Sequence, residues 1–388
     1  MTRRDILLVL LIFTLTRAAL FGIGALTVAT VPANEGEEFT HLLDGGPALD
    51  MWYRWDAGFY TSIATYGYDW YNEARPADDM AFLPVYPLLV RAVSGLTAEG
   101  CVWSPYWSTC ATIGGLVVSN LALLASTFLL FDLARWRFGR AIAWRAVWLL
   151  MVAPNAIYLS GVYTEATFLL WALLTFWLLE RDQFLMALIP ALLACLTRSV
   201  GVALYPALLW YAWTSTDAAG SLPRWLKLIL AHLPPLLFAG YILAIGLYAG
   251  DSLAYFSAYS TTWRRVSASP IEAFTIYFTS DQVSFYGWWV SWIDLAMTLF
   301  YLALAMIWLL RRDRFQRAGG AYALTGVAVP IASGTLLGMP RFGAVLFPFY
   351  LLLAAWADRW WKQALIYGAS IALALLFITR FVTWRWIA

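Results

Sequence analysis

The segment Arg54-Trp55-Asp56-Ala57-Gly58-Phe59-Tyr60 sets a single carboxylate among aromatic rings, between two strongly apolar stretches of the chain. A carboxylate so placed suits acid–base work, and the faces of Trp55 and Tyr60 can stack on a sugar ring and exclude water. Other charged side chains recur near the ends of apolar runs. They are Glu165 in Gly161-Val162-Tyr163-Thr164-Glu165, Arg198 in Thr197-Arg198-Ser199, Arg341 in Met339-Pro340-Arg341, the pair Arg264-Arg265, and Asp79. Charge at membrane depth is costly, so the set reads as the lining of a polar cavity. Taken one at a time, each also fits an interfacial anchor that reaches the headgroups.

Several chemistries lack their residues. The chain has no glycine-rich phosphate loop of the Walker type, which disfavours direct ATP hydrolysis. It has no Asp-x-Asp pair to hold a divalent metal against a diphosphate leaving group, which disfavours a nucleotide-sugar donor. His41 and His232 fall on opposite sides of the membrane in the topology below, so a histidine metal cluster or a Ser-His-Asp triad is not readily assembled. Neither a metal nor a cofactor is indicated.

The elements that must hold these residues are membrane helices. The chain is 62% hydrophobic and 12% charged, with a mean hydropathy of +0.70, whereas soluble chains carry about one quarter charged residues. Apolar runs of about 17 to 25 residues, from Ile6 to Val31, Ile113 to Phe131, Ala141 to Leu159 and on toward the last residues, are each long enough as a helix to cross about 30 Å of hydrocarbon. Lipid offers the backbone no outside partner, which makes the crossings helical.

Arg3-Arg4, Arg135 to Arg145, Arg311 to Arg317, and Arg359 with Lys362 are expected in the cytoplasm. The stretch from Pro32 to Ala111 holds eleven Asp or Glu against three Arg and is expected outside. Parity then requires Phe184 to Trp213 to be two short crossings broken near Thr197-Arg198-Ser199. The expectation is an all-α polytopic membrane protein, one domain over 1–388, with about eleven spans. Its large exoplasmic loops fall at about 32–111 and 250–287, the N-terminus inside and the C-terminus outside.

In that topology Asp56, Glu165, Arg198 and Arg341 share the outer face. Arg17, deep in the first span, calls for Glu165, Asp294 or a phosphate as partner. The Phe82 to Leu89 segment, with Pro84 and Pro87, is too short to span and lies at the interface. Cys101 and Cys110 share the outer loop, where an oxidising compartment permits a disulfide, although two free thiols fit equally.

Trp55-Asp56-Ala57 with Tyr60 and Gly67-Tyr68, then Phe82-Leu83-Pro84 with Pro87-Leu88, then Pro154-Asn155 leading to Gly161-x-Tyr163-x-Glu165-Ala166, then Thr197-Arg198-Ser199-x-Gly201, follow one another in order. The chain resembles the PIG-V family on these motifs. Those are the second mannosyltransferases of GPI-anchor synthesis and their prokaryotic relatives. The resemblance implies a GT-C-type bundle with an inverting transferase activity, a polyprenyl-phosphate mannose donor, a lipid or glycan acceptor, and an essential acidic residue in the first outer loop, the position of Asp56. The side chains read above as sugar-stacking faces or as the cavity lining, Trp55, Tyr60, Asp79, Glu165, Arg198, Arg264, Arg265 and Arg341, are the expected substrate or donor contacts. The Arg-rich, almost Lys-free composition looks prokaryotic, so the expected location is a plasma membrane with the site facing outward. A transporter or lipid flippase would also show a polar cavity in a helical bundle; inverted repeats would favour it, and the Asp56 and Arg198 motifs are not visibly repeated.

Overall fold

The computed structural model of the protein describes residues 1–34, 46–68, 78–95, 108–216, 222–263, 265, 269–280, 283–285 and 290–387. Its helices are α1 (Arg3–Thr30), α2 (Pro47–Asp50), α3 (Ala57–Tyr66), α4 (Val85–Ser94), α5 (Thr109–Phe138), α6 (Arg140–Met151), α7 (Ala156–Ser160), α8 (Glu165–Leu179), α9 (Phe184–Cys195) and α10 (Leu204–Trp213). They continue as α11 (Arg224–Leu230), α12 (Leu233–Ala249), α13 (Ala254–Trp263), α14 (Glu272–Thr279), α15 (Trp292–Leu309), α16 (Arg314–Ile331), α17 (Met339–Ala344), α18 (Pro348–Trp356) and α19 (Trp360–Val382). Among the described residues there is no strand, and β pairing is confined to one isolated bridge, Ser284 with Ser291.

Among the described residues, five helical runs are long and apolar enough to cross a membrane: α1, α5, the run Arg224–Ala249, α15 and α19. The protein is a multi-pass membrane protein. Val85–Ser94, Glu165–Leu179, Phe184–Cys195 and Ser199–Trp213 are apolar but shorter, so helix length does not establish the expected count of about eleven spans.

Two apolar runs are interrupted. The break expected within Phe184 to Trp213 is present: α9 stops at Cys195, a 3-10 turn runs Ser199–Ala203, and α10 begins at Leu204. The run from Ala141 to Leu159, expected as one continuous helix, is instead α6 and α7 with a gap at 152–155. Pro154 supplies the reason, since it has no N–H to donate and drives the residue before it out of the helical region.

The chain divides into two compact units, one made of Met1–Gly67, Tyr86–Leu170 and Tyr350–Ala388, the other of Tyr68–Val85 and Trp171–Phe349. In the first unit the α6–α7 break leaves carbonyls that lipid cannot satisfy. Arg17 of α1 meets them, donating to Met151 O, to Ala156 O at 3.5 Å and to the Ser160 hydroxyl at 2.7 Å. This corrects the expected partner. The guanidinium is held by the negative end of α6 and by α7, not by Glu165 or another carboxylate among the described residues. Asn120 of α5 donates to Ser160 O at 2.9 Å and Ser119 to Tyr163 O at 3.1 Å. Side chains of α1 and α5 therefore stitch down the irregular backbone that leads into Glu165.

In the second unit α15 and α16 form an antiparallel pair, and α10 lies along α16. Its apolar centre is Phe176, whose ring meets Tyr211, Phe315, Tyr322 and Phe347 at centroid separations of 4.9 to 6.3 Å. Edge and tilted contacts at such spacings are the favoured arrangements of aromatic pairs.

Candidate active site

Asp56 is the N-cap residue of α3, yet its side chain makes no capping bond, so its oxygens are not committed to the first amides of that helix. The residue is half-buried, and the backbone before it is fixed on three sides. Arg54, 2% exposed, pairs with Asp50 at 3.0 Å one turn back and also donates to the carbonyls of Asp50 and Tyr53. The Arg54 carbonyl accepts the Tyr163 hydroxyl at 2.7 Å. Trp55 takes φ 53°, a left-handed conformation that costs a bulky residue about 1–3 kcal/mol. Its ring meets the edges of Trp384 at 5.4 Å and Trp386 at 5.2 Å. At the far end of α3, Gly67 has φ 86° and ψ −167°, a region essentially confined to glycine, which accounts for the glycine of Gly67-Tyr68.

Tyr60 points from α3 into the core. It is 5% exposed, edge-on to Tyr86 at 5.2 Å and to Tyr163 at 6.3 Å, with its hydroxyl 3.4 Å from the Thr164 hydroxyl. The Tyr86 hydroxyl donates to Gly115 O at 3.2 Å and lies 2.9 Å from Ser119 Oγ. Burial, reinforced by the neighbouring Tyr60 and Glu165, pushes the Tyr86 phenol far above the usual tyrosine range, so it remains a neutral hydrogen-bonding group. Glu165, fully buried at the first position of α8, therefore lies beside the Tyr60–Tyr86 pair. Asp56, Trp55, Tyr60 and Glu165 belong to one unit and are linked through α3 and the Tyr163–Thr164 backbone. The aromatic ring left half-exposed beside Asp56 is that of Trp55 rather than Tyr60.

Two candidate arginines of the second unit, Arg198 and Arg265, meet α17, which carries Arg341. Arg198, the N-cap of the 3-10 turn, lies 5.6 Å from the centroid of the Phe342 ring, and Arg265 lies 5.5 Å from it. Phe342 immediately follows Arg341. Arg265 also donates to the Ser333 hydroxyl at 2.8 Å and to Leu337 O. Gly201 lets the Arg198 turn fold against α9: a Cβ there would stand 2.5 Å from the Cα and N of Cys195, which explains the glycine of that motif. Burial pushes the phenol of Tyr255 in α13 well up. Asp79, 4% exposed, rides on a 3-10 turn, Asp78–Ala81, that packs on α13. Planar guanidiniums clustered in this way suit bidentate contact with anionic oxygens.

Arg264 and Cys101 lie outside the described residues, and with them the expected choice between a Cys101–Cys110 disulfide and two free thiols. Among the described residues no group of three His, Cys, Asp or Glu is arranged to hold a metal ion. Sequence reasoning did not single out the residues that fix the Asp56 turn. Asp50 and Arg54 stand at i and i+4, a spacing that signals a pair, whereas Trp384 and Trp386 look like any other members of an interfacial aromatic belt.

Residues 6–227 match the family model described as Mannosyltransferase (PIG-V). Over 130 residues the chain is 32% identical to GPI mannosyltransferase 2 of Cryptococcus neoformans var. neoformans serotype D, in both strain JEC21 and strain B-3501A. The match takes in 34% of this chain and only 27% of the length of those relatives. The fold is similar to that of ArnT from Cupriavidus metallidurans bound to undecaprenyl phosphate, with a TM-score of 0.50 and 14% identity over 92% of this chain and 63% of that one.

Proposed function

Because this chain belongs to the mannosyltransferase (PIG-V) family, we propose that it moves a mannosyl residue from a polyprenyl-phosphate donor to a lipid-linked or glycan acceptor, with inversion, at the outer face of a prokaryotic plasma membrane. The undecaprenyl phosphate bound to ArnT supports a lipid-linked donor for the shared fold. The observation that carries the reading is the half-buried Asp56 carboxylate, set on a turn anchored by Arg54, Trp55 and Tyr163.

Asp56 takes the proton from an acceptor hydroxyl as that oxygen bonds to the anomeric carbon. The bond between that carbon and the donor phosphate oxygen breaks, and the phosphate departs with the electron pair. A glycosidase needs a second carboxylate to protonate an alkoxide leaving group; a polyprenyl phosphate leaves without one. General-base assistance contributes about 10²- to 10⁴-fold. Arg198, Arg265 and Arg341, with Arg264, receive the charge gained by the phosphate. The half-exposed face of Trp55 packs on a sugar ring, and the isoprenoid tail lies in lipid.

Asp56→Asn is nearly isosteric but removes the base. In purified protein given synthetic polyprenyl-phosphate mannose and a lipid extract as acceptor source, it is expected to retain donor binding and lose at least about 100-fold in turnover. Turnover near that of the unmodified protein removes Asp56 as the base.

A further inference from the structure

The segment after α19 is tied to the rest of its unit by a dense set of hydrogen bonds. Arg380 donates through Nε and Nη2 to Trp386 O at 3.0 and 2.9 Å, and the Arg385 N–H to Arg380 O at 2.8 Å. The Arg385 guanidinium reaches the Thr383 hydroxyl at 2.7 Å and Pro32 O at 3.2 Å, while the Asn34 N–H donates to Thr383 O at 3.0 Å. Trp384 in this segment is itself left-handed, with φ 59°.

What the segment presents is a pair of indoles set around Arg54 and Trp55. Trp384 and Trp386 contact the Trp55 ring edge-on, at interplanar angles of 64° and 88°. The Arg54 guanidinium lies 4.7 Å from the centroid of the Trp384 ring, and its Nη2 reaches Val382 O at 3.5 Å. Neither indole can perform acid–base or nucleophilic chemistry. Both bear on the residues that precede Asp56, and Trp55 is held where a bulky side chain is strained. Released, Trp55 would relax toward negative φ, a rotation of more than about 100° that would redirect the chain at Asp56.

We propose that Trp384 and Trp386 are positioning residues for the transfer reaction: they clamp the Trp55 indole and the Arg54 guanidinium, and so hold the left-handed turn that aims Asp56. The proposal rests on Asp56 being the base. Misplacement of a catalytic group by about 1 Å costs on the order of 100-fold, so the clamp acts on turnover rather than on donor affinity.

The test uses the full chain in lipid nanodiscs, with synthetic polyprenyl-phosphate mannose as donor and a total lipid extract of the expression host as acceptor source. The variants are Trp386→Ala, Trp386→Phe, Trp55→Ala, the double variant Trp55→Ala with Trp386→Ala, and Asp56→Asn. Trp386→Ala is expected to lower kcat at least about tenfold with donor KM within about twofold. Trp386→Phe, which keeps an aromatic edge, should recover most of that loss. Trp55→Ala, which also loses the sugar-packing face, should fall at least as far as Trp386→Ala, and the double variant should fall no further than Trp55→Ala, because residues acting as one unit are not additive.

Unchanged kcat in Trp386→Ala overturns the proposal. So does a phenylalanine variant as impaired as the alanine one, a rise in KM at constant kcat, or losses that multiply in the double variant. An inactive Asp56→Asn beside an unimpaired Trp386→Ala sinks the clamp alone, whereas an active Asp56→Asn sinks the base assignment and the clamp with it.

Discussion

Arg341 stands next to a ring that two other guanidiniums already approach, Arg198 and Arg265. If these groups meet a departing phosphate, their planar forks matter as much as their charge, because lysine offers only a point charge and cannot grip two oxygens in parallel. Arg341→Lys is expected to lower kcat about tenfold or more at saturating donor, about 1.4 kcal/mol of transition-state stabilisation. Unchanged kcat in both Arg341→Lys and Arg198→Lys would place phosphate stabilisation elsewhere. Residue chemistry was the most legible layer of the sequence. Asp56 stood out as a carboxylate among aromatics, and Arg198 and Arg341 as charges beside apolar runs. Arg54 was less visible, because its value comes from a buried pair with Asp50 and a ring stacked from the far end of the chain. The gathering of Arg198 and Arg265 on Phe342 could not be read from positions 67 residues apart.

Elements were legible by composition and less so by continuity. Hydropathy reports how apolar a run is and carries no information on whether its backbone hydrogen bonds are unbroken. The run from Phe184 to Trp213 is split in the right place because the parity of crossings requires it, whereas the run through Pro154 is kept whole although the proline itself forbids it. The Arg198 break offers a test. Gly201→Ala puts a methyl group against the Cys195 backbone at 2.5 Å, which cannot swing aside as a side chain would. The variant is expected to lose about 1–3 kcal/mol of stability through overpacking and to weaken turnover by displacing Arg198. Thermal unfolding in detergent and a donor-turnover assay check both; a variant with unaltered melting and turnover would show that the turn yields there.

At the scale of the whole molecule, orientation rests on the bias of arginines toward one set of loops. Introduced into a cysteine-free background, Ser269→Cys is expected to react with a membrane-impermeant maleimide on intact cells, and Arg312→Cys only after permeabilisation. The reverse pattern would turn the proposed site to the cytoplasm. Both positions are exposed in the structure, so shielding by the fold does not confuse the reading. The order in which the chain is made adds a consequence of its own. Arg17 leaves the ribosome with α1, but the groups that receive its guanidinium follow 134 to 143 residues later, roughly 7 to 29 s at translation rates of about 5–20 residues per second. During that interval the first span holds a cation worth about 2.5–3.5 kcal/mol against insertion, and only the arrival of Met151, Ala156 and Ser160 relieves it. On this ground α1 is expected to stay near the translocon until the α6–α7 break is synthesised, which crosslinking of stalled nascent chains of increasing length checks.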